Sequence, residues 1–161
     1  MRPSLFRSGC AARVLLPSVV PEAVLSALDV GCGDGRSTME LSERFPYHTI
    51  YGIDRDPGAI LRARRNFPDG LFRRRDLFDL SSIRPGFHVI QMKNLMDDIH
   101  DVDGTIHRIR RSLRPKGVLI LSEERSIEKL GIFYRSCSLS IGRCRKSIMN
   151  DKMTEFIFYK C

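Results

Sequence analysis

The chain has 161 residues, with 27 Lys and Arg against 19 Asp and Glu, and a formal net charge of +8. This length fits one domain that buries a core without disulfides or a metal. No apolar run approaches the roughly 18 residues that cross a bilayer, so we expect no membrane span. The five cysteines form no C-x-x-C pair and their number is odd, which favours reduced thiols in an intracellular protein.

The N-terminal segment, residues 1–24, is basic and rich in serine. It carries Arg2, Arg7 and Arg13, and no acid precedes Glu22. This composition is typical of an organellar transit peptide, and a substrate-covering lid helix would have a similar one. We therefore expect a separate segment at 1–24, a folded domain at 25–161, and a cytoplasmic location, with a mitochondrial location as the alternative.

Apolar runs alternate with helical stretches along the rest of the chain. The runs are 27–30, 48–53, 70–72, 87–92, 118–122 and 154–159. This alternation is the pattern of βαβ units in a parallel sheet that is covered on both faces. The sequence therefore predicts an α/β, doubly wound, Rossmann-like fold. Residues 126–150 have poor periodicity and are assigned no element.

Three helices are predicted between these strands. The first runs from 36 to 45 and is expected to bury Met39 and Leu41. The second begins at a cap and a proline, Asp56 and Pro57, and is expected to pack through Ile60, Leu61 and Ala63. The third covers 103–113.

A glycine-rich loop follows the first predicted strand. Glycines stand at 31, 33 and 35, where the absence of a Cβ permits a tight turn and a closely bound ligand. Asp54 ends the second strand, the place from which a parallel strand presents a carboxylate to a ribose diol. The spacing is G-x-G-x-G, with Arg36 where a dinucleotide site has its third glycine, and it therefore points away from NAD.

With Asp29 before it and Asp54 after it, this segment resembles motif I and the acidic loop of the class I S-adenosylmethionine-dependent methyltransferases. The turn Leu113 to Gly117 is similar to the family's leucine-x-proline-x-glycine turn before strand five. The resemblance implies a mostly parallel seven-stranded sheet, in which 154–159 is the antiparallel strand inserted between strands five and six. It implies S-adenosyl-L-methionine as cofactor and no metal.

The resemblance also implies a set of cofactor-binding residues. Asp54 would accept from the two ribose hydroxyls, and Asp76 would accept from the adenine amino group, although an ion pair with Arg73 to Arg75 is the alternative for Asp76. The glycine loop would lie against the methionyl part, with Asp29 supporting its ammonium group. The full set is Asp29, Gly31, Cys32, Gly33, Gly35, Asp54, Arg55, Asp76, Leu77 and Lys93.

The segment 91–101 follows the fourth strand and carries the candidate base. Met92 and Lys93 resemble the small-molecule O-methyltransferases, but Asp97 stands where that family has its basic histidine. His100 could act instead if the loop turns helically and brings positions 97 and 100 to one side. The candidate catalytic residues are therefore Asp97 and His100.

These observations predict a methyltransferase that acts on a small molecule, at a hydroxyl oxygen. The charge of +8 keeps an RNA or protein methyltransferase open, with nucleic acid as a partner. The aspartate at position 97 keeps open a non-catalytic subunit that binds the cofactor. The sequence does not specify the oligomeric state.

Overall fold

The computed structural model describes residues 25–82, 86–124, 127–150 and 153–161. The expected lid or transit segment, 1–24, lies outside the described residues. Within them the chain forms a seven-stranded sheet of order β3-β2-β1-β4-β5-β7-β6. The strands are β1 (Ser26–Val30), β2 (Thr49–Asp54), β3 (Leu71–Arg74), β4 (Phe87–Lys93), β5 (Leu113–Glu123), β6 (Gly142–Asn150) and β7 (Met153–Lys160).

The pairing of the strands confirms the predicted fold. Strands β1 to β5 are paired in parallel, so their carboxyl ends meet at one edge of the sheet. Strand β7 is antiparallel to both of its neighbours, β5 and β6, and lies between them. The turn predicted at 113–117 is an irregularity inside β5, where Lys116 has a φ of 63°.

Helices cover both faces of the sheet. They are α1 (Arg36–Arg44), α2 (Pro57–Asn66), α3 (Val102–Ser112) and α4 (Ile127–Ser140). Ile106 and Ile109 of α3 and Phe133 of α4 pack in the core on one face, whereas Leu41 of α1 and Ile60 of α2 pack on the other. None of the helices in the described part of the chain has the length and apolarity to cross a membrane.

The start of α2 confirms the predicted cap. Asp56 accepts hydrogen bonds from the N–H groups of Gly58 and Ala59 at 2.8 and 3.1 Å, and Pro57 occupies the first turn. These bonds satisfy N–H groups that a helix start leaves without partners. The pKa of the Asp56 carboxyl is lowered by the same bonds, first by the one from Gly58.

Two predicted core residues lie on the surface. Met39 is 41% exposed and Leu61 is 56% exposed. On α1 the buried residues are Thr38 and Leu41, and one further residue along a helix turns a side chain by about 100° away from the sheet. Both predictions of burial were therefore wrong, because the helices face the sheet through narrower stripes than expected.

Candidate active site

The glycine loop joins β1 to α1 at the carboxyl edge of the sheet. Gly31 and Gly33 have φ values of 71° and 53°, which are strained for any residue with a Cβ. The N–H groups of Gly31 and Cys32 both donate to the carbonyl of Ile53, at 2.9 and 3.0 Å. A Cβ on Gly31 would lie 2.7 Å from the Leu95 side chain, whereas a Cβ on Gly33 would meet no atom within 4 Å. Open space therefore lies over Gly33.

The Asp54 carboxylate, at the end of β2, is held by backbone groups on two sides. The N–H of Gly33 donates to Oδ2 at 2.9 Å, and the N–H of Asp56 donates to Oδ1 at 2.8 Å. An ionised carboxylate accepts about four hydrogen bonds, so each oxygen keeps acceptor capacity. The fold thus fixes the orientation of Asp54 and leaves it able to bind a pair of donors.

A cleft opens beside Asp54, with an empty volume, including the part open to solvent, of about 640 Å³. The cleft brings together five of the predicted cofactor residues: Gly31, Asp54, Arg55, Asp76 and Leu77. Its other lining residues are Val30, Ile53, Arg75, Phe78, Leu95, Asp98 and Ile99.

One wall of the cleft is the loop after β3. Asp76 accepts a hydrogen bond from the N–H of Phe78 at 3.0 Å, which fixes the start of a 3₁₀ turn at Leu77–Ser82. The Phe78 ring is 52% exposed, and the Arg108 guanidinium lies 4.8 Å from its centroid. This wall offers an apolar surface next to a carboxylate, which suits a flat heteroaromatic ring.

The Asp29 carboxylate does not line the cleft but lies buried beneath the glycine loop. It accepts hydrogen bonds from the hydroxyls of Ser37 and Thr38 at 2.6 and 2.7 Å and from the Gln91 amide at 3.2 Å. Burial raises the pKa of Asp29, and the three hydrogen bonds oppose that rise. The carboxylate therefore ties β1, α1 and β4 together, and its partners were not identified from the sequence.

Three further predicted cofactor residues, Cys32, Gly35 and Lys93, are not among those that line the cleft. Cys32 is buried, and burial, followed by the nearby Asp29 and Asp54 charges, raises the pKa of its thiol to about 12. Lys93 turns toward α1, where its Nζ lies 2.6 Å from a Glu40 carboxylate oxygen. At Gly35, the third loop glycine, a Cβ would lie 3.0 Å from the Ala63 Cα, so this residue serves the packing of α2.

The candidate bases follow β4. Asp97 and His100 are both exposed, and neither lines the cleft. The 3₁₀ turn Met96–Asp98 ends at Ile99, which has an extended conformation with φ −99° and ψ 116°. The helical turn expected to bring positions 97 and 100 to one side therefore stops at Asp98. Asp98 itself lines the cleft and lies 3.4 Å from Arg55.

One titratable group at the carboxyl edge of the sheet, Glu123, was not identified from the sequence. Glu123, at the carboxyl end of β5, is buried and accepts a hydrogen bond from the N–H of Met96. Its Oε2 is buried without a hydrogen-bond partner among the described residues. Burial raises the pKa of Glu123, and the neighbouring carboxylates of Asp97 and Glu124 raise it further. The only sequence signal was its place at the end of an apolar strand.

The chain matches a protein-family model over most of its length. Residues 22–156 match the family model described as a methyltransferase domain. The chain belongs to the S-adenosylmethionine-dependent methyltransferases. The resemblance seen in the glycine loop and Asp54 is thereby confirmed, and so is S-adenosylmethionine as the cofactor of this family.

Curated relatives of this methyltransferase domain are named trans-aconitate 2-methyltransferase. That of Methylobacterium nodulans is 30% identical over 115 residues, covering 71% of this chain and 44% of the relative. That of Escherichia coli O1:K1 is 40% identical over 80 residues, covering 47% of this chain and 32% of the relative. The chain thus spans less than half the length of these relatives.

Solved structures share the fold. A TehB-like S-adenosylmethionine-dependent methyltransferase from Corynebacterium glutamicum has a TM-score of 0.67 and 21% identity, covering 85% of this chain and 80% of that one. The N-methyltransferase NodS from Bradyrhizobium japonicum, in complex with S-adenosyl-L-homocysteine, has a TM-score of 0.69 and 18% identity, covering 86% and 79%.

The residues of the cleft fit this cofactor. Asp54 offers a fixed carboxylate with spare acceptor capacity, and open space lies over Gly33. Phe78 and Asp76 also line the cleft. This combination of groups suits a nucleoside with a vicinal diol.

Proposed function

We propose that this domain transfers the methyl group of S-adenosylmethionine to a hydroxyl oxygen of a small-molecule acceptor. The observation that carries the proposal is the Asp54 carboxylate, fixed by the N–H groups of Gly33 and Asp56 in a cleft that also contains Asp76 and Leu77. Membership of the methyltransferase family supports the reaction type.

Each group of the cleft has a role in this proposal. Asp54 accepts from the two ribose hydroxyls, while Asp76 accepts from the adenine amino group and the Leu77 N–H donates to the ring. The loop from Gly31 to Gly33 lies against the methionyl part. Once bound, the cofactor supplies a methyl group activated by its sulfonium. The protein contributes by aligning the acceptor oxygen with that carbon, and alignment of this kind is worth about 7 to 11 kcal/mol.

A hydroxyl acceptor also needs a group that takes its proton. Asp97 and His100 are the candidates, because both follow β4 at the carboxyl edge of the sheet. An imidazole is intrinsically a stronger base than a carboxylate and suits this task better. We therefore assign the proton to His100 first and to Asp97 second.

The second candidate acceptor is a carboxylate, and the names of the curated relatives favour it. A carboxylate is already ionised at neutral pH, so it would need no base. The two candidates therefore predict different pH dependences: the rate on a hydroxyl rises with pH because a base must take its proton, whereas the rate on a carboxylate stays level above about pH 5.

The test is transfer of a labelled methyl group from S-adenosylmethionine to a panel of phenols, trans-aconitate and a short RNA, with the Asp54→Ala variant as the blank. Methylation of a phenol supports the proposal, and ester formation on trans-aconitate alone supports the second candidate. Transfer to RNA alone, or cofactor binding without turnover on any acceptor, contradicts both.

A further inference from the structure

The charge of the chain is unevenly distributed at the carboxyl edge of β4 and β5. Residues 94–101 and 122–124 contain no Lys or Arg and five acids: Asp97, Asp98, Asp101, Glu123 and Glu124. The whole chain nevertheless carries +8. In parallel α/β sheets ligands bind outside the carboxyl ends of the strands, so an acceptor would meet this acidic end.

Asp98 and Asp101 each lie near an arginine. Asp98 lies 3.4 Å from Arg55, and Asp101 lies 3.5 Å from Arg108. Glu123 is different, because its Oε2 is buried and lacks a hydrogen-bond partner among the described residues. A buried polar atom without a partner costs roughly 1 to 3 kcal/mol and calls for an explanation such as a missing ligand.

The position of Glu123 connects it to the cleft. Lys93 and Ser122 are paired in the register of β4 and β5, so Glu123 stands beside Asn94 at the edge of the sheet. The Glu123 carboxyl accepts from the N–H of Met96, and the preceding residue, Leu95, lines the cleft. A single turn, 95–98, therefore separates the unpartnered oxygen from the cofactor site.

We infer that the acceptor carries a protonated amine, which binds at this acidic end with Glu123 as its buried anchor and with the exposed Glu124 beside it. The inference rests on the proposed function, since it names the class of acceptor for the same site. An ammonium donates up to three hydrogen bonds and supplies the partner that Oε2 lacks. The same carboxylates repel a polyanion such as trans-aconitate.

The test compares three phenols of similar size: tyramine, 4-ethylphenol and 3-(4-hydroxyphenyl)propionate, which carry a cation, no charge and an anion. Binding of each is titrated calorimetrically to the full chain saturated with S-adenosyl-L-homocysteine. We expect tyramine to bind at least tenfold more tightly than the other two. Glu123→Gln, which retains an acceptor for the Met96 N–H, should remove that preference.

Two further variants complete the test. Glu124→Gln removes an exposed charge at the same end and should reduce the preference for tyramine even if Glu123→Gln folds poorly. Glu43→Gln removes an exposed charge on α1 and should leave the preference unchanged.

Stronger binding of the anionic phenol, a preference for tyramine that survives both Glu123→Gln and Glu124→Gln, or no binding of any phenol overturns the inference. In these cases intact binding of S-adenosyl-L-homocysteine leaves the proposed methyl transfer standing. Loss of that binding in the unmodified chain instead contradicts the proposed function.

Discussion

The backbone N–H of Gly33 donates to Oδ2 of Asp54 at 2.9 Å, across the carboxyl ends of β1 and β2. This bond makes the glycine loop and the acidic strand end one unit. The loop holds the carboxylate in place before any ligand arrives, so less conformational freedom is lost on binding. Substitution of either residue should therefore disturb the position of the other.

Asp54→Ala is expected to lower the affinity for S-adenosylmethionine by roughly 100-fold or more. Two hydrogen bonds to a charged acceptor are lost, each worth about 1.5 to 3 kcal/mol. Asp54→Asn should lose less, because one acceptor oxygen is kept. Isothermal titration measures both, with the exposed Asp69→Ala as the matched control. Equal affinities in Asp54→Ala and Asp69→Ala would refute the site.

Gly33→Ala should weaken cofactor binding more than it weakens the fold. The left-handed φ of 53° costs an alanine about 1 to 2 kcal/mol, but its methyl group points into open space that the cofactor would fill. Gly35→Ala should mainly destabilise the fold, since its methyl group would lie 3.0 Å from the Ala63 Cα. Urea unfolding and titration on both variants distinguish these effects, and the opposite ranking would contradict the expected orientation of the loop.

Arg44→Ala should destabilise the domain by roughly 2 to 4 kcal/mol. Arg44 makes two hydrogen bonds to Glu155, at 2.8 and 3.1 Å, and joins α1 to β7. Glu155 is 3% exposed, and its charge would be left buried without this partner. The double variant Arg44→Leu, Glu155→Leu should recover much of the loss. Arg36→Ala is the control, because it breaks an exposed pair with Asp34 and should lower the free energy of unfolding only slightly. An equal loss of stability in Arg44→Ala and Arg36→Ala would argue against a special role for Glu155.

Stability should fall as the pH drops below about 6.5 because of two histidines at the amino edge of the sheet. Their rings lie 6.2 Å apart, and His88 Nδ1 accepts a hydrogen bond from the Ser26 N–H at 3.1 Å, which requires that nitrogen to be unprotonated. Burial lowers the pKa of both His48 and His88. The nearby His88 lowers the pKa of His48 further, and the nearby Arg114 lowers that of His88 further.

The sign follows from linkage. The unfolded chain binds these protons first as the pH falls through 6.5, so the free energy of unfolding declines until the lower pKa values of the folded state are passed. The measurement is urea unfolding from pH 7.5 to 5 for the natural chain and for the double variant His48→Leu, His88→Asn. The raised pKa values of Asp29 and Glu123 act in the opposite direction but are common to both proteins. If the free energy of unfolding changes equally with pH in the two proteins, the histidines do not contribute to that change.

His100→Ala should spare cofactor binding and lower turnover on a phenol by roughly 100-fold, the lower limit of a general base contribution. Asp97→Asn should also leave binding unchanged, with a smaller effect on turnover. Turnover measured beside calorimetric titration of the cofactor provides the check, because loss of a base lowers turnover and leaves binding unchanged. Full activity in both variants would exclude them as bases.

The cofactor end of the fold was predictable because its signals are local. A glycine loop after an apolar strand and an aspartate at the end of the next one determine where the carboxyl ends of two parallel strands meet. The Asp29 network was not predictable, because Gln91 stands far along the chain and approaches Asp29 only when β1 and β4 pair.

The secondary structure of the region 126–150 was not predicted, for a different reason. Its described residues, 127–150, form α4 and β6, but α4 carries apolar side chains on its exposed side as well as in the core, with Ile132 at 54% and Leu139 at 89% exposure. These residues obscure the helical period of the buried Phe133 and Cys137. The strand β6 lies at the sheet edge and has three charged residues, Arg143, Arg145 and Lys146, in its first half. Charged residues protect a sheet edge from pairing with other chains, but they also remove the apolar run by which a strand is predicted.

The order of β5, β7 and β6 has a consequence for how the protein is made. The strand that comes last of the three in the chain lies in the middle, so β5 has a bare edge until Met153–Lys160 has left the ribosome. Phe156 and Phe158, which fill the core beside it, arrive at the same time. A nascent chain paused before this point would present an open strand edge and an incomplete core, the state in which neighbouring chains associate and chaperones are needed.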